Sequence, residues 1–582
     1  MPDRTSLNGL VRSGIILLSM QRIIECVPNF SEGRDLNIIK QITDQIENTE
    51  GVRLLNVDPG KTTNRTVVTF VGSPEAVVEA AFKAIERAGE LIDMRKHKGE
   101  HPRMGATDVC PLIPVSNITM EETAEFARQL AKKVGEKLRI PVYLYEAAQP
   151  DKSRSNLSKI RAGEYEGFPK KIKDPAWKPD FGPDEFDLRR GGTVIGARDF
   201  LVAYNINLNT TSVRRANSIA FDVREAGRLK REGNPLTGKI VLDTDNNPVS
   251  IPGTLKCVKA IGWFIEEYGI AQISMNLTNI NVTPVHIAFD EVCKKANERG
   301  IRVTGSELVG LIPLRAMLEA GRYFLRKQQR STGVSEHELV KIAVKSLGLD
   351  ELSTFKPEER IIEWMLKNKR DEKLVSLSLS AFADETASES PAPGGGSVSA
   401  YLGVLAASLG TMVANISANK KGWDERWQEF SEWAEKGQAI KKNLLGLVDQ
   451  DTLAFNRIME SFALPRGTED EKRIRAGAIQ GATRLAIQVP LKVMEGAFES
   501  LKIIRYVAEH GNPNSVSDAG VAALCARSAV MGAFMNVRIN AAGFDDQSFV
   551  QDALAKGKEL EQKSQKEEQE ILSIVNKKIG IQ

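Results

Sequence analysis

Leu201-Val202-Ala203-Tyr204-Asn205-Ile206-Asn207 reads as a strand, its Tyr204-Asn205-Ile206-Asn207 half alternating with the period of a half-buried strand. The segments that follow decide the fold of this region. Ser212–Ala226 has helical spacing, Cys257–Ile265 and Ala271–Leu277 read as strands, Pro284–Arg299 as a helix and Arg302–Gly305 as a strand. Strand-helix-strand-strand-helix-strand is the split βαβ or ferredoxin-like order. Ile240–Ser250 contains Asp245-Asn246-Asn247-Pro248, a turn signal inside a hairpin, and Leu314–Lys327 adds a further helix.

Upstream, Arg22–Val27, Val52–Val57, Thr66–Val71, Asp108–Val115 and Val142–Tyr145 read as strands, and Leu36–Ile46, Pro74–Ile92 and Thr123–Leu138 as helices. This mixture implies a sheet covered by helices. Beyond the charged run Lys367–Lys373 the strand signals vanish. Helical spacing then marks Ser397–Asn419, Glu425–Phe462, Glu469–Glu509 with a break or kink at Pro490, Val516–Asn540 and Phe549–Lys577. The expected fold class is multidomain: two α/β (α+β, ferredoxin-like) subdomains followed by an all-α helical domain. The boundaries are 20–200 and 201–366 for the two subdomains, 367–376 for a linker and 377–582 for the helical domain, with 1–19 a disordered tail or a misassigned start ahead of Met20.

A chain of 582 residues exceeds what one core usually serves. With 79 Lys+Arg against 76 Asp+Glu, no field for nucleic acid or a membrane surface is implied. The run Ile15-Ile16-Leu17-Leu18 is too short to span a bilayer. Five scattered cysteines without a CxxC pair argue for reduced thiols in a cytoplasmic protein and against a disulfide framework or zinc site.

Four constellations carry chemistry. His97-Lys98-Gly99-Glu100-His101-Pro102-Arg103-Met104-Gly105-Ala106 holds two histidines on a segment that Gly99, Pro102 and Gly105 keep out of a helix. With Asp58-Pro59-Gly60 and Asn64-Arg65-Thr66 it reads either as a proton-moving site or as a surface loop whose histidines make only hydrogen bonds; the missing helical face removes the metal reading. Gly182-Pro183-Asp184-Glu185-Phe186-Asp187-Leu188-Arg189-Arg190-Gly191, continuing through Gly192 and Thr193–Arg198, reads as a ligand-approaching loop or an interdomain linker. Pro391-Ala392-Pro393-Gly394-Gly395-Gly396-Ser397 precedes a small-residue helix, as a ligand-holding N-terminus or a flexible joint. On the long helix, Leu444, Val448, Phe455, Ile458, Met459 and Phe462 form an apolar stripe that contains Asp451, either a used carboxylate or one paired between helices. Gly477-Ala478-Ile479-Gln480-Gly481-Ala482-Thr483-Arg484-Leu485 mixes small and polar residues in a helix, lining a cleft or packing.

Glu25-Cys26-Val27-Pro28-Asn29-Phe30-Ser31-Glu32-Gly33, Asn64–Thr66, the His97–Ala106 loop and Arg161-Ala162-Gly163-Glu164-Tyr165-Glu166 resemble the formimidoyltransferase-cyclodeaminase family. The resemblance continues through Phe200–Leu208, Gly305–Pro313, Pro393–Val398 and Leu447–Phe455, in order from Met20. It implies a bifunctional folate enzyme of histidine breakdown. The formimidoyl group of N-formimidoyl-L-glutamate passes to N5 of tetrahydrofolate. The resulting 5-formimidoyltetrahydrofolate is then cyclised to 5,10-methenyltetrahydrofolate with release of ammonia. On this reading His101 is the base that takes the N5 proton, Asp58 its acidic partner, and His97 is secondary. Asp451 shuttles protons in the cyclodeaminase step, and residues 182–191 and 477–485 contact folate. The resemblance also implies tetrahydrofolate as a polyglutamylated co-substrate, no metal and a homo-oligomer. The insertion at Arg231–Thr254 resembles a surface hairpin without function. The rival readings are a transferase with an inactive C-terminal domain and a non-catalytic folate-binding scaffold.

Overall fold

The computed structural model describes residues 22–61, 63–99, 102–233, 237–366, 374–390 and 392–580. The expectations for residues 1–19, for 367–373 of the linker and for His101 fall outside them. The chain forms two compact units: one runs to Ala316 and resumes from Leu347 to the linker, the other joins Met317–Ser346 to the chain beyond the linker. In the structure Thr332 and Ser331 hydrogen-bond Ser431 and Asn415 of the helical unit, which ties that segment to it.

In the first unit, β1 (Ile23–Cys26) and β2 (Asn29–Phe30) are one line of strand interrupted at Val27-Pro28, flanked by β4 (Arg65–Gly72) and β5 (Thr107–Ser116). β3 (Val52–Gly60) pairs outside β4; β7 (Thr193–Ala197) and β6 (Val142–Glu146) extend the other side. The β5–β7 and β6–β7 pairs are parallel, the others antiparallel. α1 (Leu36–Glu47), α2 (Pro74–Leu91) and α3 (Met120–Lys133) start at side-chain caps, Asp35, Ser73 and the Thr119/Glu122 capping box. Their apolar stripes cover one face of the sheet, where Ile24, Cys26, Val68, Phe70, Cys110 and Leu112 are buried. By strand alternation the opposite face carries Glu25, Val27, Asn29, Val67, Thr69 and Val109, and these line a cavity. α4 (Leu157–Arg161) and α5 (Glu164–Lys171) follow β6.

The second sheet has the order β11 (Val258–Ile265), β12 (Ile270–Leu277), β8 (Val202–Leu208), β13 (Val303–Val309), all antiparallel. With α6 (Val213–Val223) after β8 and α7 (Val285–Asn297) after β12, this is the expected ferredoxin-like order. The insertion is a ladder of β9 (Arg228–Leu229) and β10 (Ser250–Ile251), with its turn at Asn246 in the left-handed region. α8 (Leu314–Lys327) and α9 (Glu336–Leu347) end the mixed part of the chain.

The helical unit is built on α10 (Gly395–Ala418), α11 (Trp427–Ala463), α12 (Glu469–His510), α13 (Val516–Ala541) and α14 (Gln547–Ile579). α12 continues through Pro490, which is buried there, so of the expected break or kink the break is excluded. α10 packs closely because its contact positions are small: Gly403 lies against Leu444 and Ala497, Gly410 against Ile504. Two helical segments, Gly395–Ala418 and Pro513–Ala541, are long and apolar enough to cross a membrane by composition, yet 61% and 50% of their apolar windows are buried in the bundle. The apolar stripe on α11 packs only in its first half. Leu444 and Val448 are buried, whereas Met459 and Phe462 are half exposed.

Candidate functional site

The first sheet's open face and the second sheet enclose a cavity of about 870 Å³. Lys259, Asn276, Ala203 and Val309 form one row across the second sheet and line it. Asp58 lines it from β3, in register with Val67, which pairs in turn with Asn29. The same row continues to Val109 of β5, three residues past the end of the histidine loop.

Polar groups not singled out in the sequence shape this cavity. Asp108, with a fully buried side chain, meets Arg65 Nη1 at 2.6 Å and Arg161 Nη2 at 2.8 Å. Its other oxygen accepts from the Met104 amide at 3.0 Å. Arg65 also donates to Asn29 Oδ1, at 3.0 Å from Nε and 2.7 Å from Nη2. Glu25 lies in the cavity wall at 5% exposure; burial pushes its carboxyl up to about 7, opposed by Arg198 and reinforced by Glu363. Strand alternation marks Glu25 as facing one side of a sheet, but not which side holds a ligand; Asp108 sits at a register shift in β5, where alternation does not foretell its direction.

The histidine loop is held on both flanks. His97 Nδ1 accepts from Arg103 Nε at 3.2 Å, so its Nε2, 2.8 Å from the Asn64 carbonyl, carries the proton. Burial draws its pKa below the ordinary value, which favours the neutral ring. Arg103 reaches Glu164 at 3.0 Å and Glu166 at 2.7 Å. Residues 182–191 lie beside this loop without lining the cavity. Gly191, at φ +68°, bridges Gly105, and a Cβ there would lie 2.2 Å from the Met104 carbonyl. The Arg190 and Arg189 carbonyls accept from Ala106 and Met94 at 2.8 and 2.9 Å. Arg190 meets the Asp187 carboxylate of its own segment at 2.6 Å, and Arg189 reaches the Glu90 carbonyl. Thr193–Ala197, read with this loop from the sequence, is the buried strand β7.

In the helical unit, Asp451 sits on α11 against the N-terminus of α10. The Ser397 hydroxyl lies 3.1 Å from Asp451 Oδ2 and 3.0 Å from the Val448 carbonyl, and the Ser397 backbone N–H also donates to the carboxylate. A Cβ on Gly396 would fall 2.2 Å from Asp451 Oδ1, so glycine is required for the helix end to reach the carboxylate. Burial raises the Asp451 pKa, and the Ser397 hydrogen bonds hold it back. This is a desolvated carboxylate on an otherwise packed face, suited to accepting and returning a proton. Residues 477–485 form part of α12. Gly477 and Gly481 have open space where a Cβ would be, and Ile479 and Gln480 line a cleft of about 410 Å³ with Arg466, Lys472 and Arg475. Arg484 pairs with Asp546 at 3.2 Å and stacks over Phe549.

Three family models match consecutive regions of the chain. These are the N-terminal subdomain of the formiminotransferase domain at residues 23–198, the formiminotransferase domain at 203–367, and formiminotransferase-cyclodeaminase at 378–559. Among similar proteins, the formimidoyltransferase-cyclodeaminase of Gallus gallus is 43% identical over 531 residues, covering 91% of this chain and 94% of its own. That of Dictyostelium discoideum is 40% identical, covering 96% and 99%. A glutamate formimidoyltransferase from Streptococcus pyogenes serotype M1 is 38% identical over 307 residues, covering 53% of this chain and 94% of its own.

Proposed function

The chain belongs to the formimidoyltransferase-cyclodeaminase family, and we propose that it carries both reactions. The first unit transfers the formimidoyl group from N-formimidoyl-L-glutamate to N5 of tetrahydrofolate. N5 attacks the amidine carbon, its proton passes to His101, and the same proton leaves on the departing glutamate amine. Asp58, on the cavity wall, is the acidic partner that steadies the charged histidine. In the second unit N10 attacks the carbon of the protonated formimidoyl group, Asp451 takes the N10 proton and passes it to the amine nitrogen, and that nitrogen departs as ammonia, leaving the 5,10-methenyltetrahydrofolate cation.

The observation that supports the two-step reading is that one chain holds two separate polar sites: a cavity beside a histidine loop, and a half-buried carboxylate hydrogen-bonded to Ser397. Residues 182–191 and 477–485 are assigned to folate. The open glycines of the second segment support this, because they let a flat ring approach the backbone. The same proposal places the enzyme in histidine breakdown, in the cytoplasm, with polyglutamylated folate as co-substrate. Free cysteines support the compartment. A homo-oligomer is part of the reading; exposed Leu405, Met412 and Ile416 on α10 and Val521, Met535 and Ile539 on α13 support it as apolar surface in need of cover. Purified protein given N-formimidoyl-L-glutamate and tetrahydrofolate should release ammonia and form methenyltetrahydrofolate in equal amounts. Formation of neither product would defeat the proposal.

A further inference from the structure

We propose that Arg161 is the receptor for the α-carboxylate of the formimidoyl donor, with Asp108 as the positioning residue that aims it; this rests on the transfer reaction proposed above. The starting point is an imbalance. One buried carboxylate, Asp108, meets two guanidinium groups, Arg65 at 2.6 Å and Arg161 at 2.8 Å, and both arginines line the cavity. Within this cluster a single anion faces two cations.

The two arginines are not equivalent. Arg65 is satisfied on every side: Nε and Nη2 donate to Asn29 Oδ1, and Nη1 to Asp108 and to the Pro102 carbonyl at 3.4 Å. It is a strut. Arg161, its side chain 14% exposed, has the ion pair to Asp108 and no hydrogen bond among the described residues; its Nε is buried without a partner. A guanidinium held by one ion pair alone keeps donor capacity on its terminal nitrogens that a ligand oxygen can complete. The guanidinium fork fits a carboxylate, and the cavity supplies the space for one.

Position selects which carboxylate. Asp108 also accepts from the Met104 amide at 3.0 Å, and Arg65 reaches the Pro102 carbonyl, so Arg161 is tied to the backbone on the C-terminal side of His101. The group bound there lies close to the transferred carbon. In N-formimidoyl-L-glutamate the α-carboxylate is borne by the very carbon that carries the departing nitrogen. In tetrahydrofolate the glutamate is separated from N5 by the whole aminobenzoyl group. Arg161 therefore holds the donor, and keeps the glutamate in place while its amine leaves.

The test measures KM for each substrate separately in the full-length protein, Arg161→Gln and Arg161→Lys, with two donors. One is N-formimidoyl-L-glutamate and the other N-formimidoyl-4-aminobutyrate, which lacks the α-carboxylate. With the natural donor, Arg161→Gln should raise the donor KM by roughly tenfold or more and Arg161→Lys by less, while the tetrahydrofolate KM stays within about twofold. With the decarboxylated donor, wild type and Arg161→Gln should match within about twofold, because the partner of Arg161 is gone. Unchanged cyclisation of supplied 5-formimidoyltetrahydrofolate checks that the chain is folded. An equal loss with both donors, or a rise confined to the tetrahydrofolate KM, would overturn the assignment, the latter giving the guanidinium to folate. A wild type inert toward transfer would instead sink the reaction itself.

Discussion

Glu25 is a buried carboxylate and Asp451 a half-buried one, and each makes a measurable signature. Glu25 has its ordinary value near 4.5 in the unfolded chain and is pushed up to about 7 when folded. The folded state therefore binds the extra proton between those values, and the first unit loses stability as pH rises from about 4.5 to about 7, then levels. Glu25→Gln should erase that slope. Denaturant titrations across the window should show the variant gaining on wild type by up to about 3 kcal/mol at neutral pH and above; parallel curves would mean another group titrates. For Asp451, burial raises the pKa while Ser397 lowers it. Ser397→Ala removes a charge-assisted hydrogen bond worth about 1.5–3 kcal/mol. The acid limb of the cyclisation pH profile should move up, with transfer untouched. An unmoved limb would make Ser397 mere packing. Legibility in sequence differed between these sites for a physical reason. Asp451 stood out because a helix repeats every 3.6 residues and places it on an apolar stripe. Asp108, Arg161 and Glu25 did not, since their partners lie 43 and more residues away along the chain and no local period encodes them.

Elements were legible wherever periodicity and cap chemistry agreed. The ferredoxin-like order of β8, α6, β11, β12, α7 and β13 follows from alternation in strands such as Leu201–Asn207. β7 was hidden because Thr193–Ala197 is buried on both faces between β5 and β6, so it lacks alternation and its Gly196 resembles loop material. Pro490 misled in the opposite direction: a proline stops an isolated helix, but buried packing along α12 carries the helix past it. Glycines on these helices divide into two kinds, and substitution separates them. A Cβ on Gly437 would lie 2.0 Å from Thr411 Oγ1, whereas one on Gly481 would meet nothing within 4 Å. Gly481→Ala should stabilise the helical unit by about 1 kcal/mol, the helix-propensity difference. If residues 477–485 take folate against their backbone, the same change should slow cyclisation. A more stable protein with unaltered cyclisation would move folate off this helix. Gly437→Leu should cost about 1–3 kcal/mol through overpacking, read in the same denaturation experiment.

Two reactions on one chain require that each site fail alone. The residues assigned to transfer fall between Glu25 and Lys259, in the first compact unit, and those assigned to cyclisation between Gly396 and Leu485, in the second. Neither set borrows a residue from the other. His101→Ala should therefore abolish net conversion from N-formimidoyl-L-glutamate yet leave cyclisation of supplied 5-formimidoyltetrahydrofolate at the wild-type rate. Asp451→Asn keeps the shape of the acid while removing its ability to cycle a proton, and should let 5-formimidoyltetrahydrofolate accumulate at the normal transfer rate. The loss at either site should be on the order of a hundredfold or more, the range for removal of a general acid–base group. Mixing the two variants makes the test quantitative. The intermediate made by Asp451→Asn must leave that protein and reach His101→Ala, so ammonia should appear after a lag that shortens as the second protein is increased. Absence of ammonia from the mixture, with each variant active in its own half-reaction, would mean that the intermediate is not released to solution. Loss of both half-reactions in either single variant would instead contradict the division of labour between the two units.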